Sequence, residues 1–303
     1  MIREAIEKDR EELYSLYKSS FSAKNAQSID SFFENGMKDG KVILCEKDDK
    51  IVASVFMNDM NVVFNNKLLK SIFLSHVAIH PDYRKTGAID ECMNSVLEEC
   101  ERKTLFTFVE ANSYKFWENY GFQEACTHRF YELDHRYFEN VSIQGIYEDA
   151  SIEECKNIYD SFTKYFDGYK KRNIHDFEMI FNECQALNER ILVARHGNKP
   201  MGYIRFILEG KSIKVKEIVY LSSNALMRLC KAALGQRDSI LLELSDAERI
   251  EKMFTLAIPR KRVSIMVRCN NFPLFNKLYN CKVKTSKDAY ALSKKPKYMN
   301  EKY

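Results

Sequence analysis

Val77-Ala78-Ile79-His80-Pro81-Asp82-Tyr83-Arg84-Lys85-Thr86-Gly87-Ala88 is the stretch on which the reading of the fold turns. It leaves an apolar run, residues 70–79, that reads as a strand. It enters a segment whose apolar positions Ile89, Cys92, Met93, Val96, Leu97 and Cys100 fall on one helical face. A strand that feeds a helix through a glycine makes a ready anion site. The first helical N–H groups have no partners within the helix, the helix dipole is positive at that end, and glycine lets a phosphate approach the backbone closely. Arg84 and Lys85 add charge of the right sign. These residues imply a ligand that carries a pyrophosphate. Taken alone, they also describe an ordinary strand-to-helix turn with two exposed basic side chains.

Upstream of this stretch, residues 1–5 read as a short strand. Asp9 and Glu12 form a D-x-x-E cap ahead of Leu13, Leu16, Tyr17 and Phe21, which recur at helical spacing, and Ile29, Phe32 and Phe33 mark a second helix. Residues 41–46 and 51–61 read as antiparallel strands across the polar turn 47–50, with Asn65-Asn66 as the next turn. Downstream, residues 105–109 read as a buried strand, 113–119 as a short helix and 126–133 as the last strand of a first domain, followed by a polar linker at 134–140.

The chain has 303 residues, 45% hydrophobic and 30% charged, the composition of a soluble globular protein of about two domains. No run approaches the ~20 apolar residues that a membrane helix needs, and the charged opening residues contain no apolar signal segment. Nine scattered cysteines without a C-x-x-C pair read as reduced thiols in a cytoplasmic protein. The six histidines show no metal-ligand spacing, so no metal is expected. The net charge of +4 conceals an asymmetry. Residues 1–140 carry 18 Lys and Arg against 24 Asp and Glu, whereas residues 141–303 carry 29 against 19. Such halves suggest two domains with different partners.

The order of elements and the opening stretch together resemble GNAT-type N-acetyltransferases, whose strand ends in V-x-x-P-x-Y-R and continues as R-x-x-G-x-G/A into a helix. A second motif of that family, F-Y-x-x-x-G-F, is matched by Phe116-Trp117-Glu118-Asn119-Tyr120-Gly121-Phe122. The resemblance covers about residues 1–138. It implies acetyl-CoA, or another acyl-CoA, as co-substrate. Backbone groups of Val77 and Ile79 would hold the pantetheine and polarise the thioester carbonyl. Arg84, Lys85, Thr86, Gly87 and Ala88 would take the pyrophosphate, and Asn112 would supply a further polar contact. Two departures stand out. Ile89 replaces the third small residue, with Asp90 and Glu91 behind it in the first helical turn. Trp117 stands where the family has a tyrosine that protonates the departing thiolate, and an indole cannot do so. Tyr114, one helical turn earlier, is the hydroxyl left to take that part.

From residue 142 a similar order of elements begins again. Ser151 and Glu154 form a capping box ahead of Ile152, Cys155, Ile158, Tyr159 and Phe162, and strands are expected at 190–195, 201–208, 213–221, 239–243 and 263–268. Where the first half has Arg-x-x-Gly, this half has Ser222-Ser223-Asn224-Ala225, better suited to capping a helix than to cradling a phosphate. A tandem pair with one CoA loop resembles the Eis (enhanced intracellular survival) family without its C-terminal sterol-carrier-like domain. Residues 293–303 read as a solvated basic tail.

The expected fold is therefore α/β (α+β), with two tandem GNAT-like domains, each a mostly antiparallel, splayed sheet flanked by helices. Residues 1–138 form the acyl-CoA-binding domain and residues 139–303 a degenerate copy. The resemblance implies transfer of an acetyl group from acetyl-CoA to an amine by direct attack. The acceptor would be a small-molecule or peptide amine, such as an aminoglycoside, a polyamine or a lysine-like group. The alternative is a non-catalytic acyl-CoA-binding or interaction module. Pro259-Arg-Lys-Arg262 lacks the aromatic platform of a nucleic-acid site. Neither nucleic acid nor membrane is expected as a partner, and oligomerisation is left open.

Overall fold

The computed structural model describes residues 1–21, 26–248 and 250–301, with the backbone alone at 38 and 39. The elements run β1 (Ile2–Glu4), α1 (Arg10–Ser20), α2 (Ala26–Glu34), β2 (Gly40–Lys47), β3 (Lys50–Phe64), β4 (Lys67–Ile79), α3 (Ala88–Lys103), β5 (Phe106–Glu110), α4 (Tyr114–Glu118) and β6 (Gln123–Leu133). They continue as β7 (Ile146–Tyr147), α5 (Ile152–Thr163), β8 (Tyr169–Lys170), α6 (Ile174–Ala186), β9 (Arg190–His196), β10 (Lys199–Glu209), β11 (Ser212–Tyr220), α7 (Ser223–Leu234) and β12 (Ser239–Ser245). The last elements are β13 (Arg260–Cys269), α8 (Phe272–Tyr279) and α9 (Ser286–Ala291).

The chain divides into two compact units. One comprises Met1–Ala125, Ser264–Lys294 and Glu301; the other comprises Cys126–Val263 and Lys295–Asn300. The sequence pattern alone predicts a single cut at 138/139. The chain instead changes unit inside β6 and again inside β13. Residues 126–133, expected as the last strand of the first domain, pair antiparallel with β12 of the second unit, Leu133 opposite Ile240 and His128 opposite Ser245. Residues 265–269, expected in the second domain, pair antiparallel with β5 of the first, Ile265 opposite Glu110 and Cys269 opposite Phe106. A strand's own pattern shows that it will pair but not with which edge. The region read as a linker, 134–140, is a capped turn: Asp134 accepts the Arg136 N–H, and Phe138 is buried in the second unit's core.

In the first unit the strands follow the order β1-β2-β3-β4-β5-β13, antiparallel throughout except for the parallel pair β4/β5. Helices α1 and α2 cover one region with Leu13, Leu16, Tyr17, Ile29, Phe32 and Phe33, set on Val42, Leu44 and Phe56 of the sheet. Asn270, just past β13, donates to Thr104 Oγ1 and Thr107 Oγ1, both at 2.9 Å, which fixes the imported strand beside β5. The second unit repeats the plan as β7-β9-β10-β11-β12-β6, with β11/β12 as its one parallel pair.

The two helix-entry signatures behave differently. Ser151 caps α5, accepting the Glu154 N–H at 3.1 Å while Glu154 accepts the Ser151 N–H at 3.2 Å. Asp9 does not cap α1. Its carboxylate accepts the Ile6 N–H at 2.8 Å and pairs with Arg3 at 2.6 Å, while Glu12 accepts the Ile51 N–H at 2.7 Å. A nearby guanidinium outbids the helix N–H groups for a carboxylate. The expected solvated tail is also corrected: Tyr298, Met299 and Glu301 are buried, and the Tyr298 N–H donates to Asp167 O at 2.9 Å. Residues 302 and 303 of that tail lie outside the described residues. Eight of the nine cysteines are buried, and all are free thiols.

Candidate functional site

The site is built where β4 and β5 part. Their parallel pairing runs from Ser71/Phe106 to Leu74/Val109 and stops there. On its other edge β4 stays with β3 but bulges, so that Ser75 faces Phe56 and Ala78 faces Ser54, leaving His76 and Val77 together opposite Val55. A bulge adds a residue and re-aims the rest of the strand. Beyond it, His80 N–H donates to Val52 O at 2.8 Å. By strand alternation the backbone groups of Ile79 face the opposite edge, where β5 has departed. The Ile79 carbonyl there accepts from Ser20 Oγ at 3.0 Å. Val77 and Ile79 are both half-buried.

The loop comes at once. Pro81–Tyr83 makes one tight turn, with Thr86 Oγ1 donating to Tyr83 O at 2.7 Å. Lys85 has φ +66° and Gly87 φ +83°. Gly87 is the N-cap of α3, and no side chain caps that helix. A Cβ at Gly87 would meet no atom within 4 Å, so the space over the helix end is open. Arg84, Lys85 and Thr86 are exposed, whereas Ala88 is buried under the helix. The acidic residues of the first turn are engaged: Glu91 pairs with Lys47 at 2.7 Å, and Asp90 accepts the Tyr120 hydroxyl at 2.5 Å.

On the β5 side, Asn112 is exposed in the turn Ala111–Ser113 and donates to Glu110 Oε2 at 2.6 Å. Trp117 is buried, its ring edge-on to Phe122 at 5.4 Å and to Phe116 at 4.9 Å. Tyr114 is half-buried, and its hydroxyl pKa is raised, first by burial and then by Glu124 and Glu118. Nothing among the described contacts brings Tyr114 to the loop. Tyr120 instead reaches the first turn of α3, through Asp90. It belongs to the second motif and ties that motif to the first through Asp90, a role that the spacing of residues 90 and 120 did not announce.

Comparison with known proteins supports this geometry. Residues 1–125 match the family model for the acetyltransferase (GNAT) domain. This part of the chain is a GNAT domain. No curated protein matches the sequence. Solved structures do match in fold. A conserved protein of unknown function from Enterococcus faecalis, described as a probable N-acyltransferase, aligns with TM-score 0.74 and 16% identity, over 89% of this chain and 72% of that one. A GCN5-related N-acetyltransferase from Kribbella flavida gives TM-score 0.70 and 13% identity, over 91% and 73% of the two chains. Eis1 from Mycobacterium abscessus gives TM-score 0.68 and 14% identity, over 91% and 75%. In architecture the chain is Eis-like.

The matched GNAT segment stops at residue 125, yet its sheet is completed by β13 and its core by Phe275 and Tyr290, both close to Phe106. The second unit also parts its parallel strands, after Lys214/Leu241. There the helix is capped: Ser222 Oγ accepts the Ala225 N–H at 3.2 Å, and φ at Ser222 is an ordinary −154°. Tyr298 is buried in the same unit, with Glu217 of β11 and Glu248 beyond β12 both bearing on its hydroxyl. Its ring meets Phe162 at 5.2 Å and Phe166 at 5.1 Å. Among the described residues no group of three or more His, Cys, Asp or Glu is gathered to hold a metal ion, and no helix is long and apolar enough to cross a membrane.

Proposed function

We propose that the GNAT domain binds acetyl-CoA and transfers its acetyl group to an amine nitrogen. The observation that carries this reading is the uncapped N-terminus of α3, open to solvent under Gly87 and flanked by Arg84 and Lys85, set directly after the parting of β4 and β5. Thr86 and the first N–H groups of α3 would ligate the pyrophosphate, with Ala88 allowing a close approach. The backbone of Val77 and Ile79 would hold the pantetheine arm along the edge that β5 vacates and polarise the thioester carbonyl. Asn112, exposed just past β5, would supply a further polar contact. An uncharged amine would attack that carbonyl carbon directly, forming the C–N bond as the C–S bond breaks. Tyr114 is the proposed donor of the proton that the thiolate takes up, and the amide nitrogen gives its surplus proton to solvent, from which the phenol is restored.

The acceptor proposed is a small-molecule or peptide amine, in a cytoplasmic setting, with no metal required. A ligand bound only to the folded state stabilises it by about 2.7 kcal/mol at a hundredfold excess over Kd. Acetyl-CoA should therefore raise the melting temperature, with one molecule bound per chain by calorimetry. CoA release across polyamines, aminoglycosides and lysyl peptides then tests transfer. Trp117, buried where the family has its tyrosine, favours a second reading, an acyl-CoA-binding module without turnover. Binding with no CoA release from any amine would select it.

A further inference from the structure

Eight residues other than glycine have positive φ among the described residues: Asp48, Asp49, Asn65, Asn66, His76, Lys85, Asn188 and Asn280. Seven of them lie in turns, in a loop or at helix ends, and six are Asp or Asn, which tolerate that conformation. His76 alone lies inside a strand, at φ +47° in the β4 bulge. A left-handed residue with a Cβ costs on the order of 1–3 kcal/mol and persists only where its surroundings hold it. What holds His76 is a wall of rings. Its imidazole stacks on Phe32 with centroids 3.8 Å apart and planes 16° from parallel, lies parallel to Tyr17 at 5.9 Å, and meets Phe56 edge-on at 6.2 Å and Phe21 edge-on at 6.4 Å.

The strain therefore places an imidazole one residue before Val77, at the point where β4 and β5 separate. Ser75 Oγ and His76 Nδ1 are 2.9 Å apart. With the proton on Nδ1 donated to that oxygen, Nε2 keeps its lone pair, and no described residue hydrogen-bonds it. Burial pushes the imidazole down to about 4, and no charged side chain shifts it, Tyr17 being the one titratable neighbour stacked on the ring. The ring is thus neutral at physiological pH and offers an acceptor.

We infer that His76 is the specificity-determining residue on the acceptor side, its Nε2 taking a hydrogen bond from the N–H of a primary amine that enters uncharged between the aromatic wall and the thioester. This role rests on the acetyl-transfer reading above and names the side chain that would meet the amine. An ammonium must lose its proton before it can attack, and the uncharged Nε2 accepts from the free amine without a carboxylate that would hold the charged form in place. Seating that nitrogen beside Val77 would orient its lone pair toward the carbonyl carbon.

Two substitutions and one measurement on the unaltered protein test this. His76→Phe keeps a stacked ring and removes the nitrogen. It should raise KM for the amine about tenfold, the effect of one lost hydrogen bond, and leave both KM for acetyl-CoA and the acetyl-CoA melting shift unchanged. His76→Gln, which restores an acceptor, should recover part of that loss, and it serves as the variant of record should His76→Phe fail to fold. In the wild type, the Nε2 nitrogen-15 resonance should move when a responsive amine is added. An unchanged amine KM in His76→Phe, an amine KM in His76→Gln no better than in His76→Phe, or an unmoved Nε2 resonance would each overturn the role of His76 alone. If acetyl-CoA fails to stabilise the wild type, or no amine releases CoA, the transfer reading itself falls and this role falls with it.

Discussion

The two strand-to-helix junctions, Arg84–Ala88 into α3 and Ser222 into α7, occupy the same place in two copies of one sheet plan and have opposite chemistry. In the first, Gly87 at φ +83° supplies no side chain, so the N–H groups of the helix end carry no side-chain cap. In the second, Ser222 Oγ accepts the Ala225 N–H, so one of those groups is already paired. The first unit also strains a strand at His76, whereas Lys216, the extra residue of the matching bulge in β11, has no positive φ. The second unit caps this helix and buries Tyr298, whereas the first leaves an uncapped helix end and a left-handed histidine in place.

The largest effect expected from breaking this contrast is at Gly87. Gly87→Glu places a carboxylate over the end of α3 in a left-handed position, and the open space there gives it no steric excuse to move away. Charge of the wrong sign at a helix N-terminal anion site should lower acetyl-CoA affinity by about 100-fold or more and abolish the melting shift. Calorimetric titration of the variant checks this; retention of wild-type affinity would show that the anion is held elsewhere.

Next in size is the difference between the units' first helices. Arg3 holds the Asp9 carboxyl down to about 2 from its ordinary value of 3.8. A depressed carboxyl pKa means that the folded chain binds fewer protons than the unfolded one. The stabilisation is therefore complete above pH ~4 and fades as pH falls toward 2, and on this shift it amounts to about 2 kcal/mol. Asp9→Asn should lose that amount at pH 7, and the gap to wild type should close through the same acid window in urea melts. Ser151, an uncharged cap, should give a stability loss on mutation to Ala with no such acid dependence.

These cases show which parts of the molecule were legible in the sequence. Local chemistry was: the Arg-x-x-Gly loop, the Ser151–Glu154 box, the Ser222 cap and the hairpins at Asp48-Asp49 and Asn65-Asn66 all depend on neighbours within a few residues. What failed involved distant partners. Asp9 reads as a cap until Arg3 and Glu46 are seen beside it, and residues 126–133 read as the first domain's last strand until β12 claims them. The Tyr120–Asp90 bond joins residues 30 apart. His76 was unreadable for another reason, since an ordinary histidine in an apolar run carries no sign of a bulge or of its φ.

A smaller effect is expected from the closed junction. Ser222→Ala removes the side-chain acceptor for the Ala225 N–H and should cost about 1 kcal/mol, typical of a lost N-cap. Freed donors alone should not create a second site, because neither a basic pair nor an open glycine accompanies them. The stoichiometry of acetyl-CoA should stay at one per chain while the melting temperature drops. A second bound molecule would mean that the Ser222 cap by itself closes the second site.

The smallest effect separates two accounts of Asp90. An acidic residue in the first turn favours an empty helix end and opposes a bound anion. Here the Tyr120 hydroxyl, its pKa raised first by burial and then by this bond, donates to Asp90 Oδ1, which takes up part of the carboxylate's negative field. Tyr120→Phe deletes that donor and keeps the ring that packs edge-on to Phe116 at 5.1 Å. The carboxylate is then free to turn toward the N–H groups that the pyrophosphate would use. A hydrogen bond to a charged group is worth roughly 1.5–3 kcal/mol, but solvent replaces much of it at this exposed position, so acetyl-CoA affinity should fall by only a few-fold. The double variant Tyr120→Phe with Asp90→Asn should recover it, since the competing charge is gone. A loss that persists in the double variant would instead place the Tyr120 hydroxyl in direct contact with the ligand, making it a binding group in its own right.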